Sequence, residues 1–323
     1  MSQANEINNL PSWLAELADG LVHRQEAGRM PHALLVHGPT GTGRGLLVDW
    51  LARHLLGLPP ATAGELVHPD YRSVAPEPER DVIIVGQVRE LVEFMGLTAS
   101  GGARKVAVIR PAEAMNIAAA NALLKTLEEP PGEGMLVLVA STPGALPATI
   151  TSRCQRLRVG LPSPAAARAW LAAADPSVPD WETYLALAGG APLLAAELCR
   201  ADRAEGEPFI AALAADLDAV IGRQEGPVPV ARRWAKGPVD LALRWLHRLV
   251  AGQITALAAP GIPSTGPRIT SLQTSAPDQN MAAWFAYLDR VELARRQIDR
   301  SLNMELVLAD LLLWWVGRSA RAG

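Results

Sequence analysis

Ala33-Leu34-Leu35-Val36-His37-Gly38-Pro39-Thr40-Gly41-Thr42-Gly43-Arg44-Gly45 is a short apolar run that empties into a glycine loop. A run of this kind, closed by glycine, reads as a strand buried on both faces of a sheet. Leu46 to Leu56 then has helical spacing, which completes a strand–loop–helix unit. A working phosphate-binding loop has the form G-x-x-x-x-G-K-[ST]. Its backbone N–H groups wrap the phosphates, its Lys reaches the β and γ phosphates, and its hydroxyl holds Mg²⁺. Gly38, Gly41 and Gly43 keep that frame, but Arg44 takes the Lys position and Gly45 the hydroxyl position. Gly45 has nothing with which to ligate a metal, and Arg44 puts a broad planar guanidinium where a compact ammonium fits.

Two further apolar runs, Lys105 to Ile109 and Met135 to Ala140, are bounded by charged or turn residues. Between them Ala118 to Glu129 reads as a helix, capped by Asn116 and stopped by Pro130-Pro131. Strands alternating with helices of this length predict an α/β domain, a parallel sheet with helices on both faces. The pattern changes at Leu161-Pro162-Ser163-Pro164, after which only Ala- and Leu-rich helical periodicity continues. Short helices fill 165–205, broken at Gly189-Gly190-Ala191-Pro192. Longer ones follow from about 207, including 230–257 and 281–317, with a Pro-, Ser-, Thr- and Gly-rich loop from Ala259 to Asp278 between them. The division expected is an α/β domain over 1–162, a small helical lid over 163–206 and an all-α domain over 207–323.

A chain of 323 residues exceeds what one hydrophobic core fills, in keeping with two or three domains. The apolar share is 49% and the charged share 20%, an ordinary globular balance. A net charge of −3 argues against coating nucleic acid by bulk charge, though not against a local basic patch. Two cysteines, Cys154 and Cys199, exclude a disulfide framework and cannot complete a four-cysteine zinc site. Met1 to Asn9 carries no apolar signal core and no run of 18 apolar residues occurs, so a cytoplasmic location is expected.

P-loop ATPases hold Mg²⁺ with a carboxylate at the end of a later core strand. Here Val108-Ile109 is followed by Arg110 and Pro111, a cation and a residue with no side-chain polarity. Glu113, three residues past the metal position, reads as a solvated side chain. With both metal positions lost, no magnesium nucleotide and no metal are expected. Hydrolysis is not expected either, because Mg²⁺ and γ-phosphate stabilisation supply most of the rate in phosphoryl transfer. Thr151-Ser152-Arg153-Cys154-Gln155-Arg156 closes the α/β domain. Arg153 is either an ordinary surface cation or an arginine finger aimed at the γ-phosphate of another subunit. Cys154 beside it reads as a small packed residue. Trp234, Trp245, Trp284, Trp314 and Trp315 read as packing residues rather than base-stacking ones. Arg232-Arg233 and Arg295-Arg296 read as solvated faces or intersubunit ion pairs, and His68 as a structural hydrogen-bonder.

Ala118 to Pro131 together with Ser152-Arg153-Cys154 resembles the bacterial clamp-loader ATPase family. Met30-Pro31-His32 leading into the glycine loop, and Val85-Gly86-Gln87-Val88-Arg89, belong to the same pattern. The similarity is specific through residues 30–155 and weak after about 165; Arg295 to Asn303 and Leu306-Val307-Leu308 fit a last collar helix. The resemblance implies an AAA+ module, made of the α/β domain and its lid, and a C-terminal domain that joins a five-subunit collar. It implies partners: the loader's ATPase subunits, the clamp-opening delta subunit, and through them the sliding clamp and primed DNA. With both nucleotide motifs decayed, the chain looks like the family's non-hydrolysing member, whose Ser-Arg-Cys arginine completes a neighbour's ATP site; that role falls on Arg153. Two departures stand out. Leu56 to Val67, where relatives carry a four-cysteine zinc module, contains no cysteine, so no zinc is expected. Pro192 stands about where active relatives place an Arg that senses the γ-phosphate. The competing readings are an active P-loop ATPase in which Arg44 replaces Lys, and a DNA-binding module acting alone.

Overall fold

The computed structural model describes residues 10–59, 66–78, 80–100, 104–130, 132, 134–204, 208–259, 281–298 and 302–319. Met1 to Asn9, Pro131, Asp299, Arg300, most of the expected loop after Ala259, and 60–65 of the expected shortened zinc module lie outside the described residues. The chain divides into two compact units, Met1–Trp170 and Leu171–Gly323.

In the first unit the elements run α1 (Ser12–Glu26), β1 (Ala33–His37), α2 (Arg44–Leu55), β2 (Tyr71–Val74), α3 (Val85–Gly96), β3 (Val106–Ile109), α4 (Ile117–Glu128), β4 (Met135–Ala140), α5 (Ala148–Thr151) and β5 (Gln155–Arg158). The strands form one parallel sheet in the order β2-β3-β4-β1-β5. Alternation of side chains along each strand splits the core into two layers. Ala33 and Leu35, Ala107 and Ile109, and Leu136 and Leu138 face α3 and α4, meeting Val88, Leu91, Leu123 and Leu127. Leu34 and Val36, Val106 and Val108, and Val137 and Val139 face α1 and α2, meeting Leu14, Leu21, Leu47 and Leu51. Both faces of the sheet are covered, as the unbroken apolar runs of β1, β3 and β4 require. Asn116 caps α4 as expected, its Oδ1 accepting from Ala119 N at 2.8 Å.

β2 and β5 have no counterpart among the apolar runs. Tyr-Arg-Ser-Val and Gln-Arg-Leu-Arg are the two edges of the sheet, where one flank of each strand needs no apolar cover.

The second unit is helical throughout its described residues. After α6 (Pro164–Ala174) come α7 (Trp181–Leu187), α8 (Pro192–Asp202), α9 (Phe209–Ile221), α10 (Pro227–Trp234), α11 (Val239–Ala258), α12 (Met281–Arg295) and α13 (Met304–Ser319). The helix expected over 230–257 is therefore two. Pro238 has no N–H for an i−4 carbonyl, and a Cβ on Gly237 would lie 2.8 Å from the Phe209 ring, so the chain turns there. The helix expected over 281–317 is also two: Asn303 Oδ1 accepts from Glu305 N at 3.1 Å and starts a new helix. Asp202, 2% exposed, ties three helices together, accepting from Tyr184 Oη at 2.5 Å and from Ile210 N at 2.8 Å. Trp234, Trp245, Trp284 and Trp315 are buried, with Trp234 edge-on to Trp245 and Trp315 donating to Tyr287 Oη. Arg232 pairs with Glu305, Arg233 with Asp216 and Glu225, and Arg295 with Glu292, all within the chain.

Candidate functional site

The glycine loop leaves the carboxyl end of β1, where the strand order reverses, with β1 between β4 and β5. Open parallel sheets place their ligand crevices at such a point. The loop keeps a backbone that side chains resist: Gly38, Gly41 and Gly43 have φ of 154°, 81° and 98°. A Cβ on Gly38 would lie 1.9 Å from the Val159 carbonyl oxygen. Thr42 is fully buried and donates to Pro39 O at 2.8 Å, while Trp13 Nε1 of α1 donates to Thr42 O at 2.9 Å. The loop is thus braced from inside and from α1.

The side chains that fill this frame are of the wrong chemistry for magnesium. Gly45 brings none. At the end of β3, Arg110 Nη1 donates to Asp49 Oδ1 of α2 at 2.7 Å, so that carboxylate is engaged by an internal cation. Pro111 follows, exposed and without a donor or acceptor side chain. Arg44 is half-buried and reaches back to Thr40 Oγ1 at 3.3 Å. Burial pulls its pKa below the usual guanidinium range and the Glu113 carboxylate opposes that pull. Glu113 is not the solvated residue expected. Its Oε1 accepts from Ser141 N, at the end of β4, at 2.9 Å, and its Oε2 is buried without a partner. His37, last residue of β1, has its imidazole pKa held below the ordinary value by burial and then by Arg156, Arg158 and Arg44.

Arg153 stands elsewhere. It precedes β5, whose Gln155 is level with Leu34 of β1, so it lies at the amino-terminal edge of the sheet. The glycine loop starts after His37 at the opposite edge. Three residue levels of paired strand, roughly 10 Å at 3.3 Å per residue, separate Gln155 from the end of β1, and Arg153 lies in the turn before Gln155. The guanidinium is exposed, and its partners are all local. Nε donates to Glu128 Oε1 at 2.9 Å, Nη2 forms an ion pair with the same oxygen at 2.6 Å, and Nη1 donates to Thr149 O at 2.9 Å and Ser152 Oγ at 3.3 Å. Ser152 Oγ in turn donates to Thr149 O at 3.2 Å. Cys154 packs into the layer of α3 and α4, and burial pushes its thiol up to about 11, which leaves it an inert protonated filler at neutral pH.

Four participants escaped sequence reading. Asp49 and Ser141 come from distant segments, and nothing in their local pattern marks them. Glu128 was visible in Leu127-Glu128-Glu129-Pro130, but only the fold shows which of the two glutamates faces Arg153. His32 belongs here too: its Nε2 donates to Leu127 O at 3.0 Å, fixing the end of α4 to the start of β1. Pro192 begins α8 and is buried. Asp70 N donates to His68 Nδ1 at 3.1 Å, so His68 is a hydrogen-bonder as expected.

A family model described as DNA polymerase III, delta subunit, matches residues 13–162. The DNA polymerase III subunit delta′ of Pseudomonas aeruginosa is 40% identical over 232 residues, 66% of this chain and 69% of that protein. That of Escherichia coli (strain K12) is 30% identical over 323 residues, 93% of each chain. A solved structure of a DNA polymerase III gamma-subunit-related protein from Thermotoga maritima superposes with a TM-score of 0.49 at 18% identity, covering 95% of this chain and 100% of that one. A parallel sheet with a glycine loop at its switch point, followed by a helical unit, is an α/β fold of the P-loop type. Within that class, the chain belongs to the delta′ subunit family of DNA polymerase III.

Proposed function

We propose that this chain is a non-hydrolysing subunit of the clamp loader, which helps place the sliding clamp on primed DNA and lends Arg153 to the ATP site of a neighbouring ATPase subunit. It acts in the cytoplasm, beside the loader's ATPase subunits and the clamp-opening delta subunit. Residues 1–162 and 163–206 serve as its AAA+ module, and 207–323 as its share of a helical collar. The observation that carries this reading is the position of Arg153. It is exposed, in the turn before β5, and the length of β5, at least about 10 Å of sheet, separates that turn from the chain's own glycine loop. A guanidinium reaches only a few ångströms, so a phosphate that Arg153 serves belongs to another chain. The site's own chemistry supports the other half. With Gly45 at the hydroxyl position and Arg110 paired to Asp49 at the metal position, the donor set does not fit magnesium. On the same grounds the chain carries no Mg-ATP of its own, and without cysteines in 56–67 it carries no zinc.

Reconstituting the loader with Arg153→Ala tests this. Folding and assembly remain, while clamp- and DNA-stimulated turnover at the site facing this subunit falls roughly 10³-fold, the lower end of what an arginine finger supplies. Unchanged turnover at that site removes the assignment.

A further inference from the structure

We infer that Glu128 is a positioning residue for Arg153. It holds the side edge of the guanidinium, so that the end edge is aimed outward before any partner arrives. This deepens the reading of Arg153 as an arginine finger and rests on it. A guanidinium has five N–H donors in a rigid fork. Glu128 Oε1 takes the Nε–H at 2.9 Å and forms an ion pair with Nη2 at 2.6 Å, so it lies against the side edge of the guanidinium. Thr149 O takes one Nη1–H at 2.9 Å. Nη2 donates no hydrogen bond in this set, and the Nη1 contact to Ser152 Oγ, at 3.3 Å, is the longest of the four. The end edge, which matches a pair of phosphate oxygens, is therefore the part that can change partners.

The carboxylate is itself held by more than its own rotamer. Glu128 is the last residue of α4, and the preceding carbonyl, Leu127 O, accepts from His32 Nε2 at 3.0 Å. The start of β1 thus fixes the backbone at the end of α4, from which Glu128 reaches the turn before β5. Stability explains the arrangement poorly: with side chains 37% and 53% exposed, an ion pair of this kind adds little to folding. Orientation explains it better. A long side chain on a surface turn gives up rotamer freedom when a ligand orders it, and pre-ordering removes that cost from the step in which it acts.

The test uses the reconstituted loader with Glu128→Ala, Glu128→Gln, Arg153→Ala and the double variant. Glu128→Ala is expected to lower kcat at the facing site about tenfold, between the small effect of an exposed pair and the hundredfold effect of ångström-scale misplacement. The KM for ATP stays unchanged. Glu128→Gln, whose amide oxygen still accepts from Nε, restores most of that loss. In the Arg153→Ala background, Glu128→Ala adds nothing, because the two act as a unit. Turnover of Glu128→Ala equal to or above the parent's, while Arg153→Ala is inactive, overturns the positioning role and leaves the finger assignment intact. An equal loss in the Ala and Gln variants, or an additive loss in the double variant, overturns it too. If Arg153→Ala itself turns over normally, it is the underlying reading that fails.

Discussion

At Gly38 the backbone allows no side chain: a β-carbon would sit 1.9 Å from Val159 O, well inside van der Waals contact, at a φ of 154°. The sequence marked this residue only as part of a phosphate-binding frame. The structure adds what holds the frame: Trp13 and Thr42 brace the loop through hydrogen bonds, and the Val159 carbonyl lies close against Gly38. Gly38→Ala should therefore destabilise the folded chain by at least about 3 kcal/mol, as a forced shift of buried backbone does. Urea denaturation measures it, and a loss under about 1 kcal/mol would show that the loop yields easily. Asp49 and Glu113 mark the limit of single-residue reading. A carboxylate's role depends on what faces it, and Arg110 and Ser141 face these two from other strands and turns.

Three strands and the helix after the glycine loop were legible because burial on both faces forces unbroken apolar sequence, and that signal survives without an alignment. The edge strands β2 and β5 were not, since half-solvated strands tolerate arginine and glutamine. The breaks at Gly237-Pro238 and before Asn303 were in the composition, but periodicity ran across them. One junction between elements carries a pH signature. Asp70, just before β2, is 1% exposed, and both its oxygens accept from Ser100 N at 3.0 Å. Lys105, just before β3, donates to it from Nζ at 3.0 Å. First the Ser100 N–H and then Lys105 hold the Asp70 carboxyl below its ordinary value, against the opposing effect of burial. The unfolded chain therefore takes up this proton at a higher pH than the folded chain does. The stabilisation is complete above the unfolded value of about 3.9 and fades as pH falls through the lower, folded one. Asp70→Asn leaves Lys105 buried without its counter-charge, so it should lower the urea midpoint at pH 7 and flatten the acid limb below about pH 4. An acid limb as steep as the parent's would mean that other carboxylates govern it.

At the scale of the whole molecule, the charges of the first unit are arranged differently at the two ends of its sheet. At the carboxyl edge of the sheet, positions that would face a magnesium nucleotide carry Gly45 and an Arg110 already paired with Asp49. At the amino-terminal edge, Arg153 is exposed and held by Glu128. Sequence reading reached the first end through missing ligands, but it could not measure the span between the two, because register between β1 and β5 exists only in the folded sheet. This difference between the ends predicts a null result that can be made quantitative. A P-loop that bound Mg-ATP with a dissociation constant of about 10 μM would, at 1 mM ligand, stabilise the folded state by about 2.7 kcal/mol. For a unit of this size that raises the melting midpoint by roughly 5–10 °C. The isolated chain should show no such rise in scanning calorimetry or fluorescence melts of its tryptophans. Magnesium and ATP should be added together and separately, because an intact glycine loop with Arg44 at its rim could respond to the anion alone. A rise that required both would mean that a metal finds ligands despite Gly45 and Arg110, and would favour the reading of an active ATPase. A rise with nucleotide alone would leave it a binder that cannot hydrolyse, since the γ-phosphate would still lack its metal and its lysine.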